Sequence, residues 1–145
     1  MNEMISKDII NELIRKAGEA RKFAYAPYSN FKVGAALLTD KDEIYTGCNV
    51  ENAAYSPGNC AERTAVFKAV SKGNTSFKAI AIIAGKDEIL DYTSPCGVCR
   101  QVLREFVKPK KFQIIMAKSE NDYKIMTLEE LFPMSFGPEN LDGGR

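Results

Sequence analysis

The sequence contains no histidine and no tryptophan among its 145 residues. Without histidine, the most common general base and the most common metal ligand are both missing. Proton transfer therefore falls to Asp, Glu, Lys, Tyr or Cys, and metal binding falls to Cys, Asp or Glu. The net charge is only +1, from 20 Lys and Arg against 19 Asp and Glu, so no strong field favours nucleic acid or a membrane surface. No apolar run approaches the ~20 residues that span a bilayer.

The length corresponds to one domain, residues 1–145, since single domains commonly have roughly 100–150 residues. The amphipathic N-terminus does not have the pattern of a signal peptide, so we expect a cytoplasmic chain whose four cysteines stay reduced. Two of these cysteines, Cys96 and Cys99, form a C-x-x-C pair. On its own this pair has three interpretations: a redox pair, half of a zinc site, or two core thiols.

The hydrophobic pattern predicts alternating helices and strands after an early hairpin. This order predicts an α/β fold, a three-layer α/β/α sandwich around a mixed β-sheet. The polar segment 49–59 is too long for a tight turn and is expected to be a functional loop, whereas residues 137–145 are expected to be frayed. Helices are predicted over 6–25, 60–72, 95–107 and from 127, and strands over 31–38, 43–49, 77–84, 111–117 and 122–126.

Three of the four cysteines lie at the predicted starts of two helices. Cys60 follows a predicted N-cap at Asn59, and Cys96 and Cys99 follow one at Ser94. The dipole at a helix start favours the thiolate over the thiol. A strand crossover between the two helices places them side by side on one face of the sheet. We therefore expect the three sulfurs to converge on one point.

Three thiolates suit Zn²⁺, which binds sulfur at about 2.3 Å, and they leave a fourth tetrahedral position open. The three negative charges and the +2 ion sum to −1, and the Arg63 guanidinium can offset this charge by donating hydrogen bonds to the sulfurs. Cys48 lies in a predicted strand and is expected to be a core thiol. Glu62 has two interpretations, a capping box with Asn59 or a carboxylate that moves protons beside the metal, and the neighbouring thiols favour the second.

Two sequence motifs resemble the signature of the zinc-dependent nucleoside deaminases. They are Cys-Ala-Glu-Arg at residues 60–63 and Pro-Cys-Gly-Val-Cys-Arg-Gln at residues 95–101. The three-Cys form and the short chain resemble the small homotetrameric cytidine deaminases, and the likeness extends from the first helix to about Phe136. The resemblance implies a cytidine deaminase-like fold and one zinc ion per chain. It also implies hydrolysis of cytidine and deoxycytidine to uridine and deoxyuridine in pyrimidine salvage, with Glu62 as the proton shuttle.

The resemblance also implies a set of substrate contacts. Phe31 corresponds to an aromatic residue that packs on the pyrimidine, and Asn49 and Glu51 correspond to residues that hydrogen-bond the sugar. Tyr55 and Phe136 resemble aromatic residues that line pockets shared between the subunits of a homotetramer. Ala61 and Ser94, beside the predicted metal ligands, are expected to hold the edge of the base through backbone groups.

Three other functions remain open from the sequence. A deaminase for another cytosine nucleoside, such as a blasticidin-type antibiotic, shares the three-Cys pattern. A structural zinc module requires Cys48 as a fourth ligand and leaves Glu62 without a role. A thiol redox protein uses only Cys96 and Cys99. A polynucleotide deaminase fits poorly. The near-zero net charge does not favour binding to a nucleic acid backbone, and the sequence has no tryptophan on which bases could stack.

Overall fold

A computed structural model describes residues 5–142, which form a six-stranded mixed sheet covered by helices on both faces. None of the helices within this part of the chain combines the length and the apolar character that a bilayer crossing requires. In chain order the elements are α1 (Lys7–Arg21), β1 (Phe31–Thr39), β2 (Ile44–Cys48), α2 (Ala61–Ser71), β3 (Phe77–Lys86), β4 (Ile89–Asp91), α3 (Gly97–Phe106), β5 (Gln113–Ser119), β6 (Asp122–Thr127), α4 (Leu128–Leu131) and α5 (Glu139–Asp142).

The strand order is β2-β1-β3-β5-β6, and the short β4 pairs with β3. The β3–β5 pair is parallel, whereas β1 is antiparallel to both of its neighbours. One core, which includes Leu13 and Ile14, lies between α1 and the sheet. The other core, which includes Val66 and Leu103, lies between the opposite face and helices α2 and α3. The predicted three-layer sandwich is therefore confirmed.

The first helix begins at its predicted cap, where the Ser6 side chain accepts a hydrogen bond from the amide of Ile9. It ends four residues before the predicted end, at Arg21. The residues that follow leave the helix because they pair with the chain after β2. The Tyr25 amide donates to the Asn49 carbonyl, and the Glu51 amide donates to the Tyr25 carbonyl. This pairing holds the start of the loop after β2 against the sheet.

The hairpin between β3 and β4 was not predicted. Lys86 pairs with Ile89 across a two-residue turn, and Asp87 adopts a left-handed conformation with φ 55°. The second strand has only three residues, which is too short to show an alternating apolar pattern in the sequence. The remaining predicted strands differ from the observed ones by one or two residues at their ends. The helix predicted from residue 127 begins there, with a capping box between Thr127 and Glu130.

The C-terminal segment differs from the prediction that residues 137–145 are frayed. Residues 139–142 form the short helix α5, and Gly137 and Pro138 are buried. The physical reason is an ion pair, in which Glu139 accepts hydrogen bonds from the Arg104 guanidinium. Residues 143–145 of the predicted frayed segment lie outside the described residues.

Candidate active site

The structure brings three cysteine sulfurs together at the starts of α2 and α3. The Sγ atoms of Cys60, Cys96 and Cys99 all lie within 4.8 Å of one another, and 3.7 Å separates Cys60 Sγ from Cys96 Sγ. A tetrahedral zinc ion with Zn–S bonds of about 2.3 Å holds its sulfurs about 3.8 Å apart. The spacing and the soft thiol donors therefore fit a zinc ion.

Both helices begin one or more residues later than predicted, because cysteines occupy the cap positions themselves. Cys60 is the N-cap of α2, and the predicted cap Asn59 instead donates from Nδ2 to Thr64 Oγ1. Cys96 is the N-cap of α3, and its Sγ accepts a weak hydrogen bond from the Cys99 amide. Ser94 and Pro95 therefore precede the helix. The sulfurs lie directly at the positive ends of two helix dipoles, where the thiolate is favoured.

Close packing of α2 against β2 fixes the position of Cys60. Gly47 permits this packing, because a Cβ atom there would collide with the backbone of Ala61 and Ala65. Residues 50 and 59 exchange two backbone hydrogen bonds of 2.9 Å, which close the intervening loop just before Cys60. The helix start is thus tied both to the sheet and to the loop.

Arg63 lies over the thiols from the first turn of α2. Its Nη2 donates to Cys60 Sγ at 3.4 Å. Hydrogen bonds from the Cys99 thiol and from Arg63 lower the pKa of Cys60, although burial opposes them. The same contact with Cys60 raises the pKa of the Cys99 thiol, and so does burial. The guanidinium therefore supplies positive charge to the thiolate group, as the charge sum required.

Cys48 does not belong to the sulfur cluster found among residues 5–142. It ends β2 and is partly buried, and burial raises its pKa. Cys48 therefore does not provide a fourth thiolate ligand. The structural zinc module needs that ligand, so its main requirement is not met.

Glu62 is buried beside the thiols, with 5% of its surface exposed. Burial raises its pKa to about 7, because the ionised form loses its hydration. With Cys60 as the N-cap, the third helical residue is Arg63 and not Glu62, and no side-chain capping bond is present at this helix start. The capping-box interpretation of Glu62 is therefore wrong. A carboxyl group with a pKa near neutrality can both accept and release a proton.

A cavity of about 670 Å³ opens beside the sulfurs. Cys60, Glu62 and Arg63 line its inner end together with Cys96. The segment between Tyr28 and Val33, the loop after β2 and the Thr93-Ser94 pair before α3 line the rest. Of the residues predicted to contact substrate, Phe31, Asn49, Glu51 and Tyr55 line this cavity.

The side chain of Asn49 is held by the backbone of β1. Its Oδ1 accepts from the Val33 amide at 2.9 Å, and its Nδ2 donates to the Phe31 carbonyl at 2.8 Å. One Nδ2 hydrogen is left for a ligand, since an amide group carries two. Asn49 thus both joins the end of β2 to β1 and presents one donor to the cavity.

The carboxylate of Glu51 is held by the turn before β1. Its Oε1 accepts from the amides of Tyr28 and Ser29, and its Oε2 accepts from the Ser29 hydroxyl. These hydrogen bonds, led by that of the Ser29 hydroxyl, lower the pKa of Glu51. The carboxylate is therefore fixed as an ionised acceptor. No role was assigned to Ser29 from the sequence. Its place in the polar turn before β1 is the only feature of the sequence that could have indicated one.

Ser94 also lines the cavity, whereas Ala61, Tyr55 and Phe136 each have a different setting. Ala61 is the first residue of α2, where the amide has no acceptor within the helix. Tyr55 is 79% exposed at the cavity rim and has φ 62°. Phe136 does not line the cavity of its own chain, because its backbone carbonyl accepts from Gln101 on the outer side of α3.

The sandwich, the thiol cluster and the buried carboxyl group together define the class of zinc-dependent hydrolytic enzymes. Residues 7–116 match the family model described as the cytidine and deoxycytidylate deaminase zinc-binding region. The chain belongs to this family.

Individual relatives agree over most of the chain. A cytidine deaminase of Sporosarcina psychrophila is 47% identical over 132 residues, which cover 91% of this chain and 94% of the relative. A cytidine deaminase of Halalkalibacterium halodurans is 42% identical, covering 90% of this chain and 96% of the relative. The crystal structure of a cytidine deaminase from Burkholderia pseudomallei superposes with a TM-score of 0.77 at 44% identity, covering 86% of this chain and 97% of the other.

Proposed function

We propose that this chain is a zinc-dependent enzyme that deaminates cytidine and deoxycytidine. Water replaces the amino group on the pyrimidine ring, which gives uridine or deoxyuridine and ammonia. The observation that carries the proposal is the buried Glu62 carboxyl group beside three convergent thiols, at the inner end of a cavity. Relatives of high identity and coverage that carry the name cytidine deaminase support the same reaction.

Cys60, Cys96 and Cys99 would hold the zinc ion. When bound, the ion polarises a water molecule and lowers the pKa of that water, which supplies the nucleophile at neutral pH. Arg63 would reduce the excess negative charge of the thiolates, as its contact with Cys60 indicates.

Glu62 would move the protons of the reaction. Its carboxylate takes a proton from the attacking water and delivers it to the ring nitrogen next to the reacting carbon. The water oxygen bonds to that carbon, and Glu62 then moves the remaining proton of this oxygen to the amino group. The carbon–nitrogen bond breaks, ammonia leaves, the oxygen becomes the carbonyl of the product and the carboxylate is restored. The pKa of about 7 supports this role, since it makes both protonation states accessible at neutral pH.

The remaining cavity residues would orient the nucleoside. Phe31 would pack on the pyrimidine, and the amide of Ala61 with the carbonyl of Ser94 would hold the edge of the base. Asn49 would donate to a sugar hydroxyl, and Glu51 would accept from one. The fixed Glu51 carboxylate supports this assignment, because a sugar hydroxyl finds an acceptor already oriented towards it.

Homotetramer formation is part of this proposal, with Tyr55 and Phe136 contributing to pockets shared between subunits. The exposure of both rings in the single chain, 79% and 56%, supports a role for them in contacts with another subunit. We also propose a cytoplasmic location and a place in pyrimidine salvage. The cytoplasm would keep the sulfur ligands reduced, as zinc binding requires.

A cytosine antibiotic nucleoside is the second candidate substrate, because a sugar with different substituents could meet the same base contacts. The carboxylate and amide at Glu51 and Asn49 favour a plain ribose, since they match its hydroxyl groups as acceptor and donor.

The test is ultraviolet-monitored turnover of cytidine, deoxycytidine and blasticidin-type nucleosides by the purified protein, beside elemental analysis of zinc. We expect turnover of the first two and one zinc per chain. A zinc-bearing protein that converts only the antibiotic nucleoside would replace the proposed substrate, and a zinc-bearing protein without any deamination would support a structural module.

A further inference from the structure

The C-terminal segment after α4 lies along the outer side of α3 and is fastened to it at several points. We call residues 131–139 the C-terminal clasp. Arg100 donates from Nη1 to the Leu131 carbonyl, and its guanidinium lies 5.5 Å from the centre of the Phe132 ring. Gln101 donates from Nε2 to the Phe136 carbonyl at 3.0 Å. Two consecutive residues of one helix thus hold the start and the middle of the same segment.

Arg104 makes the central contact of the clasp. Only 9% of its side chain is exposed, and its fork binds Glu139, with Nη2 to Oε2 at 2.7 Å and Nη1 to Oε1 at 3.3 Å. Its Nε donates to Ser135 Oγ at 2.8 Å. Gly137 lies directly on the guanidinium, where a Cβ atom would collide with it. A buried guanidinium whose three nitrogens all find acceptors in one segment specifies the position of that segment closely.

The same helix begins with two of the sulfur ligands. Cys96 is the N-cap of α3 and Cys99 lies in its first turn, so Arg100 follows a ligand directly and Arg104 lies about one turn further on. The helix has ten residues and its start is open to solvent, with Cys96 exposed and Val98 56% exposed. Zinc–sulfur distances in proteins lie within about 0.2 Å of 2.3 Å. A small tilt of α3 would therefore move both sulfurs out of place.

We propose that the C-terminal clasp holds α3 in the orientation that zinc binding needs, with Arg104 as the positioning residue for Cys96 and Cys99. The clasp acts through the helix, since no clasp residue belongs to the sulfur cluster found in the described chain. The inference rests on the zinc site of the proposed function.

The test measures zinc release from the zinc-loaded protein into an excess of a chromogenic chelator, well below the melting temperature. Glu139→Gln removes the charge that Arg104 binds but keeps the size of the side chain. The matched control is Asp42→Asn, which breaks the 2.9 Å ion pair with Lys78 beyond the far end of β1. We expect zinc release about fivefold faster in Glu139→Gln and unchanged release in Asp42→Asn. The milder Glu139→Asp should release zinc at a rate between those of wild type and Glu139→Gln.

The outcomes separate this inference from the zinc site itself. A wild-type protein without zinc would overturn the proposed function and the clasp together. A wild type with one zinc, and equal release rates in all variants, would overturn the clasp alone. Equal acceleration in Asp42→Asn would also overturn it, because any lost ion pair would then loosen the site. If Glu139→Gln fails to fold, the comparison of Glu139→Asp with Asp42→Asn decides between these outcomes.

Discussion

The two ends of the sheet carry cavities of almost the same size. The cavity beside the thiols measures about 670 Å³, and the cavity at the opposite end measures about 600 Å³. The second lies between the start of α1, the end of β1 and the end of α3. Volume alone therefore does not distinguish a reaction site from a surface depression in this protein.

The chemistry of the lining groups does distinguish the two cavities. At the far end Asp40, Lys108 and Lys111 are exposed, and Asp42 pairs with Lys78 while keeping 61% of its side chain exposed. Such solvated charges retain their hydration, and their ion pairs contribute little to the stability of the fold. At the thiol end Cys60 and Glu62 are both desolvated and interact with each other and with Arg63, and their pKa values are shifted. Converging perturbed groups are what marks a reaction site.

The largest expected effect comes from replacing any of the three proposed sulfur ligands at the thiol end. Cys60→Ser, Cys96→Ser and Cys99→Ser should each lose most of their zinc and with it the activity, because a hydroxyl group is a poor substitute for a thiolate on zinc. Elemental analysis of the purified variants gives the zinc content directly. Cys48→Ser is the matched control and should keep one zinc per chain. A Cys48→Ser protein that also loses zinc would contradict the three-ligand site.

A smaller but still large effect is expected from Glu62→Gln, which keeps the side-chain size and removes the proton acceptor. Turnover should fall about 10²-fold or more, as for the loss of a general acid–base group. Zinc content and melting temperature should stay near those of wild type, since the sulfurs are unchanged and burial of a neutral amide avoids the desolvation of a charge. Near-normal turnover in this variant would show that Glu62 does not carry the proton.

The sequence predicted the layers of the fold and the convergence of Cys60, Cys96 and Cys99 because both follow from local patterns. Helix and strand periods give the layers, and cysteines near two helix starts give the cluster. The capping details at Asn59 and Ser94 were wrong, since any of several adjacent residues can begin a helix. Cys96 begins α3 with its own sulfur as the acceptor, and close packing of α2 against Gly47 positions Cys60. Neither contact has a periodic signature in the sequence.

Two other features depend on contacts between distant parts of the chain. Glu51 is fixed by Ser29, 22 residues earlier, and the frayed end that was predicted is instead held by Arg104, 35 residues before Glu139. Long-range pairs of this kind have no periodic signature in a single sequence. The C-terminal composition, with Gly and Pro around Phe136, resembles that of a mobile tail, whereas contacts with α3, including the Arg104–Glu139 ion pair, order it.

The smallest expected effect concerns substrate binding and tests whether only the cavity beside the thiols binds the nucleoside. Glu51→Gln replaces an ionised acceptor by a neutral amide, so the sugar contact should weaken and kcat/KM for cytidine should fall about tenfold, mainly through KM. Lys108→Gln, which changes a charge in the far cavity, is the matched control and should leave kcat/KM unchanged.

Measuring kcat/KM of Glu51→Gln for both nucleosides locates the sugar contact, because deoxycytidine lacks the 2′-hydroxyl. If Glu51 binds that hydroxyl, the loss is confined to cytidine; if it binds the 3′-hydroxyl, both substrates lose equally. An unchanged kcat/KM for both would remove Glu51 from the binding site, and an equal loss in Lys108→Gln would end the distinction between the two cavities.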